Sequence, residues 1–148
     1  MVLVDIENVT GTPTPSTIEV NLTMNRLRCL VPRLDEAHVV VACSHHAAPV
    51  VAFAYPNARH LWRSGPDGAD IALLDVLTRE RVHVRFKSVT ICSGDGIFAD
   101  VVGWLGTKGV DVTVISLQGH LSGRLRLAAR ATCEMPALSV PSALEEPA

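Results

Sequence analysis

Val89-Thr90-Ile91-Cys92-Ser93-Gly94-Asp95-Gly96-Ile97-Phe98 holds a complete structural transition. Its first four residues are β-branched or apolar without alternation, the mark of a strand covered on both faces. Ser93-Gly94-Asp95-Gly96 ends that strand in a turn. Phe98, Val101, Val102 and Leu105 then recur at i, i+3, i+4 and i+7, the apolar stripe of an amphipathic helix. The helix is expected to stop at Lys108-Gly109, a cation in the last turn followed by a C′ glycine. Residues 110–115 supply the next strand. Strand, helix and strand in this order make a βαβ unit, hence parallel strands with a right-handed crossover.

The same alternation extends outward in both directions. Residues 2–6 read as a strand, followed by a turn over 10–15. Ser16 and Glu19 have the spacing of a capping box, which starts a helix over 17–30 that must stop before Pro32. A buried strand is expected over 39–43, a short helix over 44–54, a short strand over 59–62 and a loop over 64–68. A helix follows over 69–82, with Ile71, Leu74 and Leu77 on one face. The last helix is expected over 121–131. The spacing predicts an α/β domain over residues 1–132, built on a mostly parallel sheet with helices on both faces. Residues 133–148, with Pro136, Pro141, Pro147 and the pair Glu145-Glu146, read as a loosely attached tail.

Composition bounds the function. The chain has 148 residues, one domain's worth, and 48% of them are hydrophobic. Its mean hydropathy is +0.29, which rules out disorder as the main state. Thirteen basic and 15 acidic residues give a net charge of −2, so binding of nucleic acid by bulk charge is excluded. The N-terminal residues lack the positive start of a signal peptide, and no apolar run approaches the roughly 18 residues of a membrane span. A cytoplasmic protein is expected. Cys29, Cys43, Cys92 and Cys133 are widely spaced and read as reduced structural thiols.

In sheets of this kind the ligand site lies beyond the carboxyl ends of the strands. The first strand ends in Asp5-Ile6-Glu7-Asn8, where a continuing strand would put Asp5 and Glu7 on one face. The strand at 89–92 ends just before Asp95, and Asp70 opens a helix whose start faces the same edge. Asp70 and Asp95 each have an ordinary reading as helix N-terminal acids. Asp5, closing an apolar strand, does not. Two carboxylates about 5 Å apart repel by roughly 3 kcal/mol at an effective dielectric of 20. Three gathered together therefore call for a cation or a proton. Hard oxygen ligands suit Mg²⁺ or Mn²⁺, which can activate water for hydrolysis of a phosphodiester.

Three segments, Val2-Leu3-Val4-Asp5-Ile6-Glu7-Asn8, Gly68-Ala69-Asp70-Ile71-Ala72-Leu73 and residues 91–98, resemble in order and spacing the NYN domain family, a branch of the PIN-like nucleases. Residues 109–115 resemble that family's last strand, so the likeness covers about residues 1–130. The resemblance implies a three-layer α/β/α PIN-like fold with a five-stranded sheet of order 3-2-1-4-5. It also implies metal-dependent cleavage of RNA, usually single-stranded. It assigns Asp5, Asp70 and Asp95 to the metal and Asn8 to shaping the site, orienting water or the scissile phosphate. One position departs from the pattern: Ile97 stands where the family often has a second aspartate.

Further substrate contacts are sought around these acids. Ser93 adjoins Asp95. His45, in the pair His45-His46, is placed to touch phosphate or protonate a leaving group, against an ordinary reading as a solvated helix start. Arg63 and Ser64 precede the Asp70 loop. Arg126 and Arg130, four residues apart on the last helix with Arg124 nearby, make either a stripe for RNA backbone or a solvated face. Asp100 reads as a solvated helix residue. Trp62 and Trp104 read as core or dimer contacts rather than base-stacking platforms, and the place of Trp104 beside the apolar stripe points to a homodimer. His120 and the other histidines show no ligand spacing. The expected function is an Mg²⁺- or Mn²⁺-dependent endoribonuclease acting on RNA. The alternative, motivated by Ile97, is a catalytically weakened module that binds RNA or a protein partner.

Overall fold

Every strand in the sheet is parallel to its neighbours, and the chain reverses its direction of travel once. The computed structural model describes residues 1–139. β1 (Val2–Asp5) leads through α1 (Ile6–Thr10) and α2 (Thr17–Leu30) to β2 (Val39–Cys43), then through α3 (Ala48–Ala54) to β3 (Arg59–Trp62). α4 (Gly68–Arg79) and α5 (Val82–Arg85) carry the chain back across the sheet to β4 (Ser88–Cys92), which pairs with the free edge of β1. α6 (Ala99–Thr107), β5 (Asp111–Leu117), α7 (Gly123–Ala128) and β6 (Ala131–Met135) complete it. The strand order is β3-β2-β1-β4-β5-β6.

Alternation along the strands divides the core in two. Val2, Val4, Val39, Val41 and Cys43 face α2 and α3, whereas Leu3, Val40, Ala42, Val89 and Ile91 face α4, α6 and α7. The helices therefore cover both faces of the sheet. Phe98, Val102 and Leu105 are fully buried, as their spacing required, and Val101 nearly so. Gly109 takes φ +81° at the end of α6, the left-handed conformation expected there. The capping box at α2 forms, with the Glu19 carboxylate accepting from the Ser16 N–H at 2.7 Å and the Ser16 hydroxyl accepting from the Glu19 N–H at 3.2 Å.

The sheet has six strands, not the expected five. β6 pairs in parallel with β5 from Thr113↔Ala131 to Leu117↔Met135. The last helix stops at Ala128 rather than 131, and Cys133, Glu134 and Met135 belong to the sheet, so the boundary expected after residue 132 falls inside a strand. Its sequence, Ala-Thr-Cys-Glu-Met, is short and half polar because β6 is an edge strand, exposed at Ala131 and Glu134, half-buried at Thr132 and Cys133, and buried only at Met135. Pro141, Glu145, Glu146 and Pro147 lie outside the described residues.

Other boundaries shift for local reasons. β1 ends at Asp5, whose carboxylate accepts from the Asn8 N–H at 3.3 Å and caps α1. Asp5 and Glu7 are thus not neighbours on one strand face. The helix expected over 44–54 begins only at Ala48, with proline in its first turn. Arg81, at φ 53°, separates α4 from α5. Among the described residues no helix is long and apolar enough to cross a membrane.

Met135 distinguishes a structural β6 from a loose tail. It is 2% exposed, so Met135→Ala should destabilise the fold by about 2–5 kcal/mol in urea unfolding. A tail residue would change stability by no more than about 0.5 kcal/mol.

Candidate metal centre

The strand order reverses between β1 and β4, and a cleft of about 390 Å³ opens beyond the carboxyl end of β1, walled also by Ser44 after β2, Arg63 after β3 and His120 after β5. Asp5 ends β1 on the side that faces α4. Asp70 lies in the first turn of α4 and meets Asp5 at hydrogen-bonding distance. The two are 5% and 6% exposed, so a pair of carboxyl groups is buried in contact. Asp95 caps the turn after β4, accepting from the Ile97 N–H at 2.9 Å.

One oxygen from each of Asp67, Asp70 and Asp95 lies within 4.8 Å of the other two. Asp67 is the acid that sequence reading missed. It precedes α4 with φ 55°, in a loop where a Cβ on Gly68 would come within 2.3 Å of the Arg63 carbonyl oxygen. Its signal was its place three residues before Asp70, the spacing that puts two side chains on one side of a helix start. Asp70 Oδ1 is buried with no hydrogen-bond partner. An orphaned carboxylate oxygen of this kind carries a desolvation cost unless a proton or a cation meets it. The all-oxygen donor set fits Mg²⁺ or Mn²⁺.

Burial pushes the Asp70 carboxyl up to about 8, helped by its hydrogen bond with Asp5 and by the charges of Asp5, Asp95 and Asp67. Burial also raises Asp5, against the opposing hydrogen bonds from Asp70 and the Asn8 N–H. Both shifts run toward the protonated form, and burial is the first cause of each.

The surrounding residues divide by role. Asn8 lines the cleft, but its Oδ1 accepts from the Gly94 N–H at 3.0 Å, tying α1 to the turn that carries Asp95. Glu7 accepts from the Ser44 N–H at 2.8 Å. Arg63 stands at the rim, 3.5 Å from Asp75. His120 also lines the cleft, a place its sequence context did not reveal. A Cβ on Gly94 would come within 2.3 Å of the His120 carbonyl oxygen, so only glycine lets the two loops pack.

Several expected contacts lie elsewhere. Ser93 is fully buried, its hydroxyl accepting from the Asp95 N–H at 3.3 Å, so it supports the turn and is closed to substrate. His45 lines a neighbouring groove, its Nδ1 2.8 Å from the Ser64 hydroxyl. Arg126 pairs with Glu134 at 3.4 Å and Arg130 with Asp111. Because α7 ends at Ala128, Arg126 and Arg130 do not form a helical stripe. Asp100 is exposed and pairs with Arg124 at 3.1 Å. Trp62 and Trp104 are 51% and 38% exposed, not core residues, and Trp104 joins Leu74, Ile97 and Val101 in an apolar surface groove.

No family model and no curated protein matches the chain. Among solved structures, a protein of unknown function from Vibrio parahaemolyticus is similar in fold, with a TM-score of 0.59, 16% identity and 90% of each chain covered. At that identity the likeness extends to the fold alone.

The raised acids set the sign of a pH response. Groups whose folded pKa exceeds the unfolded value hold more protons when folded, so their contribution to stability is complete below about 4 and is lost as pH rises toward 8. With EDTA present, the thermal midpoint should therefore carry a falling component between those pH values. Asp70→Asn should flatten it, raising the midpoint at pH 8 by at least a few degrees, and Mn²⁺ should raise the parent's midpoint at pH 8 but not the variant's.

Proposed function

We propose that the protein is a divalent-metal-dependent ribonuclease of the NYN branch of the PIN-like fold, hydrolysing phosphodiester bonds in single-stranded RNA. The observation that carries this reading is the buried, unpartnered Asp70 Oδ1, on a carboxylate that has an oxygen within 4.8 Å of oxygens of Asp67 and Asp95. The order β3-β2-β1-β4-β5, extended by β6, agrees with the PIN-like arrangement that the resemblance implies.

In this reading Asp67, Asp70 and Asp95 hold Mg²⁺ or Mn²⁺, and Asp5 completes the negative pocket from β1. A cation so held supplies a water of lowered pKa and neutralises charge on a phosphate oxygen. The chain's own groups do the rest. Asn8, with its carbonyl oxygen occupied by Gly94, has its amide N–H groups to offer a phosphate oxygen. Arg63 lines the rim, and its guanidinium, 3.5 Å from Asp75, would turn to the incoming backbone. His120 supplies an imidazole at the cleft wall that can protonate the leaving oxygen, the role first sought in His45.

The second reading, an RNA- or protein-binding module with little turnover, rests on Ile97. Asp67 bears on that objection: from the start of α4 it adds an acid beside Asp70 and Asp95, where the departure at Ile97 had left only Asp5, Asp70 and Asp95. Single-stranded RNA should be cut with Mn²⁺ or Mg²⁺ and left intact with EDTA. Asp70→Asn and Asp95→Asn should each lower the rate by roughly a hundredfold or more. Cleavage that survives Asp95→Asn overturns the site, and RNA binding without turnover in Mn²⁺ favours the second reading.

A further inference from the structure

A groove of about 440 Å³ runs along β3, the edge strand of the sheet. Arg63 lines both this groove and the acidic cleft, so the two share a wall. The register Cys43↔Trp62 beside Asp5↔Ala42 puts Trp62 at the same carboxyl end of the sheet as Asp5. His45 donates its backbone N–H to the Ser64 hydroxyl at 3.1 Å, and its ring nitrogen lies 2.8 Å from the same oxygen. The segments that follow β2 and β3 are thus fastened together between cleft and groove.

Trp62 is half exposed. Among the described residues it has no aromatic or cation–π partner, whereas Trp104 meets His83 edge-on at 4.8 Å and lies under Lys108. Arg59 pairs with Glu80 at 2.7 Å, while Arg63 and Arg79 share Asp75 at 3.5 and 3.4 Å. The groove's three guanidinium groups thus exceed its two carboxylates by one, and His45 adds an imidazole. The groove therefore combines a half-exposed indole with one guanidinium more than its carboxylates can neutralise. That is the pairing by which proteins hold single strands without reading sequence: bases stack on the ring and the backbone follows the positive charge.

We infer that this groove is a subsite for single-stranded RNA, in which a base stacks on Trp62 and Arg63 guides the adjoining phosphate toward the cleft. The inference rests on the ribonuclease reading for the identity of the polymer. Two strand spacings, about 10 Å in all, separate β3 from β1. Stacked nucleotides advance about 3.4 Å each, so the stacked base lies some two or three nucleotides from the bond to be cut. An indole read from sequence as core or dimer contact becomes a positioning residue for substrate.

Fluorescence tests this directly, because the chain has only two tryptophans. In a Trp104→Phe background, Trp62 is the sole indole. Titration with a ten-nucleotide oligouridylate in EDTA and low salt should quench it. In anisotropy with the same labelled oligonucleotide, Trp62→Leu should weaken binding roughly tenfold and Trp62→Phe should retain most of it, with unfolding midpoints unchanged. The loss should shrink for a dinucleotide too short to span cleft and groove. An indole that stays unquenched while anisotropy saturates, equal affinity for Trp62→Leu and parent, or no binding by the parent would each overturn the subsite. Cleavage in Mn²⁺ is scored separately. Cleavage with a silent Trp62 overturns the groove and leaves the ribonuclease, whereas Trp62-dependent binding without cleavage supports the groove and overturns the ribonuclease.

Discussion

β1 is hydrogen-bonded in parallel on both edges, to β2 on one side and β4 on the other, and that single constraint organises the molecule. A parallel pair cannot be closed by a hairpin, so each partner needs a crossover. Right-handed crossovers running in opposite directions from β1 put α2 and α3 on one face of the sheet and α4 and α6 on the other. Beyond the carboxyl end of β1 the excursions part, and neither side fills the gap. The cleft is the space left by that divergence.

What occupies the gap is unfavourable for a folded chain on its own. Asp5 and Asp70 are buried against each other, and Asp67 and Asp95 add charge from the rim. The backbone has been arranged to bring them together. The Asp5 carboxylate caps α1, Gly68 admits the Arg63 carbonyl, and Asn8 clamps the turn that holds Asp95. An arrangement that concentrates like charge carries a cost in stability, and the same oxygens that repel each other could be neutralised together by a cation.

Much of this was legible in the sequence. The Phe98-to-Leu105 stripe, the capping box and the apolar runs fixed the alternation, because each depends on local periodicity. Asp5, Asp70 and Asp95 were legible because strand ends and helix starts predict which edge they share. What escaped depends on contacts between distant segments. β6 lacks a β-branched run and gains its register only from β5. Asp67 looked like one more loop acid until the turn at Gly68 brought its carboxylate within reach of Asp70 and Asp95. His120 joins the cleft through a loop held by Gly94, and Trp62 looked like core until its place at the end of an edge strand left it exposed. The arginines at 126 and 130 misled for the converse reason: a spacing that means a shared face holds only while the helix continues.

β6 reaches further than its place at the sheet edge suggests. The Gln118 N–H donates to the Met135 carbonyl at 2.7 Å and the Gly119 N–H to Glu134 at 3.2 Å, so the strand anchors the loop that brings His120 to the cleft. During synthesis the acids at 5, 67, 70 and 95 leave the ribosome well before residues 131–135, so the wall carrying His120, held on one side by the Ser122 N–H to the Gly94 carbonyl at 2.9 Å, gains its β6 anchor only when residues 131–135 pair. The order of translation thus separates assembly of the negative pocket from completion of its enclosure.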